Sequence, residues 1–369
     1  MPSNPPFIVR RAAVLGAGVM GAQIAAHLTN ANVEALLFEL PAKEGDPNGN
    51  VIKAIDNLKK LEPAPLSVPR KATLIRAANY EQHLELLREC DVVIEAISER
   101  MDWKSDLYRK VAPYLSEHAI FASNTSGLSI NTLAQAFPEK LRHRFCGVHF
   151  FNPPRYMHLV ELIACANTEP ALLDDLEKFL VTTLGKGVIR AKDTPNFIAN
   201  RVGVFSMLAT IHHAQQFGLG FEVVDALTGP LIGRPKSATF RTADVVGLDT
   251  FAHVVKTMAD TLPDDPWHKY YAIPDWLKKL IDAGALGQKT KRGVYQKSGK
   301  DIQVLDLKSG SYRLSSGAAD EAIVEILKNR NAAERISQLR AATHPQAQFL
   351  WSIFRDTFHY CAVHLAAIA

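Results

Sequence analysis

His149 and Glu161 stand twelve residues apart in the string GVHFFNPPRYMHLVELI, residues 147–163. An imidazole with a carboxylate partner can take a hydroxyl proton while hydride leaves the same carbon, because the acid orients the ring and stabilises its charged form. A histidine within an apolar strand is also commonly a satisfied core residue, and spacing alone leaves both readings open. Asn124 and Ser126 in SNTSGL, residues 123–128, and Asn152 after GVHFF also follow apolar runs. These polar residues fall where strands end, which is where open α/β sheets bind ligands.

A second chemistry lies near the start. The apolar run Ile8–Leu15 feeds into Gly16-Ala17-Gly18-Val19-Met20-Gly21 and then AQIAAHLTN with helical spacing. The pattern is strand, tight turn, helix. Gly16 permits the turn, Gly18 lets backbone approach a pyrophosphate, and Gly21 lets the helix pack closely on the strand. The N–H groups around Val19 and Met20 would meet phosphates at a helix N-terminus. A Gly-rich loop without a ligand shows the same spacing. The strand VEALLFE ends at Glu39, where an acid can accept hydrogen bonds from ribose hydroxyls and repels a 2′-phosphate, so NAD is expected over NADP.

The elements that must hold these residues alternate. CDVVIEAI (90–97), AIFASN (119–124) and RFCGVHFF (144–151) read as buried strands, with a helix from Met101 to Leu115. Such alternation implies a mostly parallel sheet covered on both faces. Val51–Leu61 reads as an amphipathic helix carrying Lys53, Lys59 and Lys60, followed by the Pro-rich loop EPAPLSVPRK. A solvated face and a contact to CoA phosphates both fit those lysines. From Asp193 onward the chain is mainly helical, and the first long helix is expected to open with Thr194 as its cap and Pro195 at its first position.

GVHFFNPPRYMHLVELI closely resembles the signature of 3-hydroxyacyl-CoA dehydrogenases, as do GAGVMG, VIEAISERMDWK, SNTSGLSI and DTPNFIANR. These motifs run in the family's order from residue 12 to 201, with further similarity through GQKTKRGVY near 295. The resemblance implies an α/β Rossmann-type doubly wound sheet followed by an all-α helical domain. It implies His149 as general base with Glu161 as its partner, and Ser126 and Asn200 hydrogen-bonding the substrate oxygen. It places Ala96, Glu99, Lys104, Ser126 and Asn152 beside the NAD cofactor, with the glycine turn and Glu39. The substrate would be an L-3-hydroxyacyl-CoA of fatty-acid β-oxidation. The alternatives are a related hydroxy-acid dehydrogenase and a non-catalytic NAD-binding or scaffold module. Relatives commonly carry a second serine where Gly127 stands, and the arm after Glu39 looks shortened, so CoA contacts are left unassigned.

The expected domains are 1–192, binding NAD; 193–298, helical; 299–332, a linker; and 333–369, the start of a second helical copy. FLWSIFRDTFHYCAVHLA faintly echoes FIANRVGVFSMLATIHHA, so the chain is expected to be a piece of a longer polypeptide. A fused or associated enoyl-CoA hydratase module and a homodimer are the partners the resemblance allows.

With 369 residues, 47% of them hydrophobic and 22% charged, the chain can bury more than one core. Its apolar stretches are too short for a membrane span, and its start, MPSNPPFIVRR, has no apolar leader, so a cytoplasmic enzyme is expected. A net charge of +4 without basic-aromatic runs gives no sign of nucleic-acid binding. Cys90, Cys146, Cys165 and Cys361 lack CxxC spacing and read as free thiols, and no metal ion is expected.

Overall fold

The computed structural model describes residues 7–369; the expectation about an N-terminal leader falls mostly on residues 1–6 and to that extent lies outside them. The chain divides into two units, the first reaching Ile198 and taking in Ala367–Ala369, the second spanning Ala199–Ala366.

The first unit is built on eight strands: β1 (Arg11–Leu15), β2 (Glu34–Glu39), β3 (Ile75–Asn79), β4 (Val92–Glu95), β5 (Ile120–Ser123), β6 (Phe145–Phe150), β7 (Leu159–Ala164) and β8 (Gly187–Ala191). Their spatial order is β3-β2-β1-β4-β5-β6-β7-β8. Every neighbouring pair is parallel except β6 and β7. That reversal follows from chain length, because residues 151–158 are too few for a parallel crossover, which needs about a dozen residues or more.

Helices α1 (Val19–Asn30), α2 (Gly49–Leu58), α3 (Met101–Val111), α4 (Ile130–Ala134) and α5 (Pro170–Thr182) accompany the sheet. Ala12, Val14, Leu37 and Ile94 point into a core shared with Ala22, Ala25 and Ala26 of α1, while Ala13, Leu15, Phe38 and Val93 enter a second core with Tyr108 and Phe121. Burial on both faces explains why these strands read as continuous apolar runs. The small side chains on α1 allow it to lie close to the sheet.

The second unit holds α6 (Ala199–Gln216), α7 (Phe221–Thr228), α8 (Phe240–Val246), α9 (Leu248–Thr261), α10 (Asp275–Asp282), α11 (Glu321–Lys328), α12 (Ala332–Ala341) and, as far as Ala366, α13 (Pro345–Ile368). It is helical, as expected, with an addition. Residues 295–314 form an antiparallel meander of β9 (Tyr295–Ser298), β10 (Asp301–Leu305) and β11 (Tyr312–Leu314). Thus the stretch expected as a linker, 299–332, carries two strands and a helix, with Val304, Leu305, Ile323 and Leu327 in the core.

Helix α13, which carries the echo of α6, packs on it. Phe205 stacks on Tyr360 with ring centroids 3.9 Å apart, Arg201 Nε donates to the Tyr360 hydroxyl at 2.9 Å, and His213 Nε2 meets Asp356 at 2.7 Å. Helix α6 starts at Ala199, four residues later than the Thr194-Pro195 pattern predicts. Asn196 and Phe197 both take positive φ, 62° and 49°, which no right-handed helix accommodates. Among the described residues, no helix is long and apolar enough to cross a membrane.

Candidate active site

The β1–α1 turn has the features a dinucleotide requires. Gly16 has φ 106°, and a side chain there would strike the Ala96 carbonyl oxygen at 2.8 Å. At Gly21 an added Cβ would fall 1.8 Å from the Gly16 carbonyl oxygen, so hydrogen alone lets α1 begin against the turn. Gly18 is different, for a Cβ there meets nothing within 4 Å. The space beside it is open to an approach from outside. Gly18 precedes α1 and offers no side chain to cap it, and Val19 is exposed while Met20 is half-buried.

Beside the turn a cleft of about 410 Å³ is lined by Gly16, Gly18, Glu39, Tyr80, Ala96 and Trp103, among others. Glu39 is fixed at its rim, accepting the N–H of Ala17 and that of Leu40, each at 2.9 Å. Each carboxylate oxygen keeps a second lone pair for a ribose hydroxyl. The bare glycine, the uncapped helix start and the anchored acid fit NAD. Met20 and Gln23 lie on the same helix, and Gln23 Nε2 donates to Asn152 Oδ1 at 3.1 Å, tying Asn152 to the dinucleotide helix.

His149 and Glu161 are direct partners in the antiparallel register of β6 and β7. Their twelve-residue separation is the length of the connection that folds one strand onto the other. Both are buried, at 3% and 0% exposure, and His149 Nδ1 lies 2.7 Å from Glu161 Oε2. The other carboxylate oxygen accepts the Ile198 N–H at 2.8 Å. Phe151 and Phe197 flank the imidazole, with ring centroids at 4.5 and 5.9 Å. A proton on Nδ1 directed at the carboxylate leaves Nε2 with its lone pair.

The loop after β5 lies at the neighbouring strand end. Asn124 Oδ1 accepts the Phe150 N–H at 2.9 Å and joins the two strand ends. Glu99 gathers the loop, its Oε1 accepting the N–H of Ser126 at 2.9 Å, that of Gly127 at 3.1 Å, and the Thr125 hydroxyl. Glu99 therefore shapes the backbone that carries Ser126.

Lys104, expected against the cofactor, is fully enclosed at 0% exposure. Its ammonium donates to Glu95 Oε1 at 2.6 Å and lies 3.6 Å from Glu99, so the structure commits it to carboxylates beneath the cleft. Glu95 itself escaped the sequence reading. Buried at the end of β4, it also accepts from the Tyr108 hydroxyl at 2.6 Å, the Ser123 hydroxyl at 2.8 Å and the Ile97 N–H at 2.8 Å. An acid closing an apolar strand was the available signal. Asn200 stands in the first turn of α6, in the second unit. Lys53, Lys59 and Lys60 are exposed, and Lys59 pairs with Asp56 at 2.8 Å. All four cysteines are free thiols. Burial pushes the Cys90 thiol up to about 12.

A doubly wound sheet with a glycine turn, an anchored acid at the second strand and a His–Glu pair at the far strand ends defines a dinucleotide-dependent oxidoreductase domain. Residues 11–194 match the family model "3-hydroxyacyl-CoA dehydrogenase, NAD binding domain", and residues 197–297 match "3-hydroxyacyl-CoA dehydrogenase, C-terminal domain". The "Probable 3-hydroxyacyl-CoA dehydrogenase" of Bacillus subtilis is 37% identical over 98% of this chain and 48% of that protein. A protein of the same name from Deinococcus radiodurans is 40% identical over 79% of this chain and 83% of its own length. The crystal structure of (S)-3-hydroxybutyryl-CoA dehydrogenase from Ralstonia eutropha superimposes with a TM-score of 0.65 at 29% identity, covering 79% of this chain and all of that one (100%). The chain belongs to the 3-hydroxyacyl-CoA dehydrogenase family, and its first unit is the family's NAD-binding domain. It spans about half the length of the Bacillus relative.

Proposed function

We propose that this chain oxidises the 3-hydroxyl of an L-3-hydroxyacyl-CoA to the ketone, the dehydrogenation step of fatty-acid β-oxidation, with NAD as hydride acceptor. The observation that carries this reading is the buried 2.7 Å contact between His149 and Glu161 at the strand ends. His149 Nε2 takes the hydroxyl proton, and Glu161 meets the charge that the imidazole then bears. NAD, when bound, supplies the acceptor for the hydride that leaves C3 as the C3–O double bond forms.

Gly16, Gly18, Val19, Met20 and Gly21 hold the pyrophosphate, Glu39 the adenosine ribose, and Ala96, Asn152 and Ser126 the nicotinamide end. Glu99 holds the Ser126 loop, and Lys104 supports it from below through Glu95. Ser126, and Asn200 from the second unit, hydrogen-bond the C3 oxygen and align it for transfer. A hydratase acting on an enoyl-CoA, fused or associated, supplies the substrate.

The test is NADH formation with L-3-hydroxybutyryl-CoA and a longer homologue, comparing the wild-type chain with His149→Ala. Turnover that vanishes in the variant while NAD still binds supports both reaction and base. Turnover of free hydroxy acids but not of CoA esters would replace the substrate class, and no turnover with either would reject the reading for this chain.

A further inference from the structure

Between β8 and α6 the chain makes a turn, residues 193–198, that touches the proposed site at three successive positions. At its start Asp193 accepts from the Ser129 hydroxyl at 2.7 Å and from the N–H groups of Ile130 and Asn131 at 2.9 and 2.8 Å, fastening the turn to the segment that follows Ser126. The side-chain oxygen of Asn196 then lies 3.5 Å from where a Cβ on Gly127 would stand, one residue from Ser126. Phe197, fully buried, places its ring against His149. Ile198 donates its N–H to Glu161.

Because these residues are consecutive, their contacts are not set independently. The backbone angles at Asn196 and Phe197 decide all three. Both are left-handed, at 62° and 49°, a region that L side chains rarely enter and that asparagine tolerates far better than bulky residues do. Asn196 is only 6% exposed, and its Nδ2 has no hydrogen-bond partner among the described residues. A backbone held in this sparsely populated region is a feature that collects at functional sites.

We infer that Asn196 is a positioning residue for the dehydrogenase reaction, its left-handed backbone bringing the Ile198 N–H onto Glu161 and the Phe197 ring onto His149. The inference rests on the function proposed above. Asparagine sustains this conformation and occupies the space beside Gly127. A residue that does not tolerate it shifts the turn, the Ile198 N–H leaves Glu161, and the carboxylate loses one of the bonds that aim it at the imidazole. Glycine adopts the same angle freely, so it preserves the turn while removing the side chain.

Asn196→Val and Asn196→Gly in the full chain test this, with three readouts: kcat and KM for L-3-hydroxybutyryl-CoA, NAD affinity, and the proton NMR signal of the His149 Nδ1–H. Asn196→Val is expected to lower kcat about 10- to 100-fold, with KM and NAD affinity changed less than about 3-fold, and to displace or abolish the imidazole signal. Asn196→Gly is expected to keep the signal and to retain kcat within about 3-fold of wild type. If the valine variant does not fold, as judged by thermal melting, Asn196→Ala carries the same expectation.

Wild-type kcat and signal in Asn196→Val would overturn the inference. So would a glycine variant as impaired as the valine one with the imidazole signal unmoved in both, since the role would then belong to the carboxamide. Absence of turnover in the wild-type chain removes the dehydrogenase reading and leaves the imidazole signal to judge the turn. Turnover in wild type together with an unaffected valine variant removes this inference alone.

Discussion

His149 and Glu161 face each other across β6 and β7 as register partners, with Nδ1 2.7 Å from Oε2. The carboxylate's second oxygen is held by the Ile198 N–H. Glu161→Gln keeps an oxygen for that N–H but offers an amide to the imidazole, which disturbs the tautomer and removes the charge partner. The expected result is a kcat lower by about a hundredfold or more with NAD affinity little changed. Steady-state NADH production alongside NAD titration measures both, and a kcat within a few-fold of wild type would remove Glu161 from the reaction.

Gly18 and Gly21 belong to one motif yet predict opposite failures. A Cβ on Gly18 meets nothing, so Gly18→Ala is expected to melt like wild type while NAD binding weakens about tenfold or more, the methyl standing where the pyrophosphate approaches. A Cβ on Gly21 meets the Gly16 carbonyl at 1.8 Å, and Gly21→Ala is expected to lose about 1–3 kcal/mol of stability through overpacking. Thermal melts with and without NAD separate the two, and equal behaviour would contradict this division of labour.

The motif was legible because glycine spacing and strand periodicity are local signals, whereas the His149–Glu161 pairing rested on the resemblance, since their spacing alone does not say that β6 and β7 run antiparallel side by side. Other parts depend on what the chain meets later. Strand β3 went unread because Ile75–Asn79 is brief and follows a Pro-led turn rather than a helix. The start of α6 was misplaced because nothing in DTPNF announces left-handed angles at both Asn196 and Phe197. The meander at 295–314 was hidden by its polar composition, although DIQVL alternates as a half-buried strand does. Glu95 was missed because its donors come from residues 97, 104, 108 and 123.

Removing one member of that cluster leaves a charge uncompensated in the interior. Glu95→Gln and Lys104→Met are each expected to destabilise the first unit, the lysine variant by about 3–5 kcal/mol. In the double variant Glu95→Gln with Lys104→Met, no buried charge remains at these two positions, and the loss should be smaller than the sum of the single losses. Denaturant melts of the three variants decide this. Strict additivity would show that the 2.6 Å contact contributes little.

His27 gives the first unit a dependence on pH. Burial, and then the positive charge of Lys186, hold its imidazole down from 6.5 to about 4, with Nε2 at 3.2 Å from the Leu184 carbonyl oxygen. The neutral ring is thus the native form. Stability is fully present above the unfolded value and is lost as pH falls from 6.5 toward 4, by at most about 1.4 kcal/mol per pH unit. His27→Gln keeps a donor for the carbonyl and does not titrate in this range. Its melting curve is expected to flatten relative to wild type between those pH values, and parallel curves would show that His27 contributes nothing.

The Glu95 carboxylate also bears on how this sequence can change over generations. It takes a backbone donor from the β4–α3 connection and side-chain donors from two turns of α3 and from β5, so none of those three side chains can drift by itself without leaving the buried acid short of a partner. Variation there must pass through paired replacements, which arise far less often than single ones. A lineage could therefore rewrite the exposed face of α2 many times while positions 95, 104, 108 and 123 stay locked together, a heritable unit scattered along the gene but joined at one side chain.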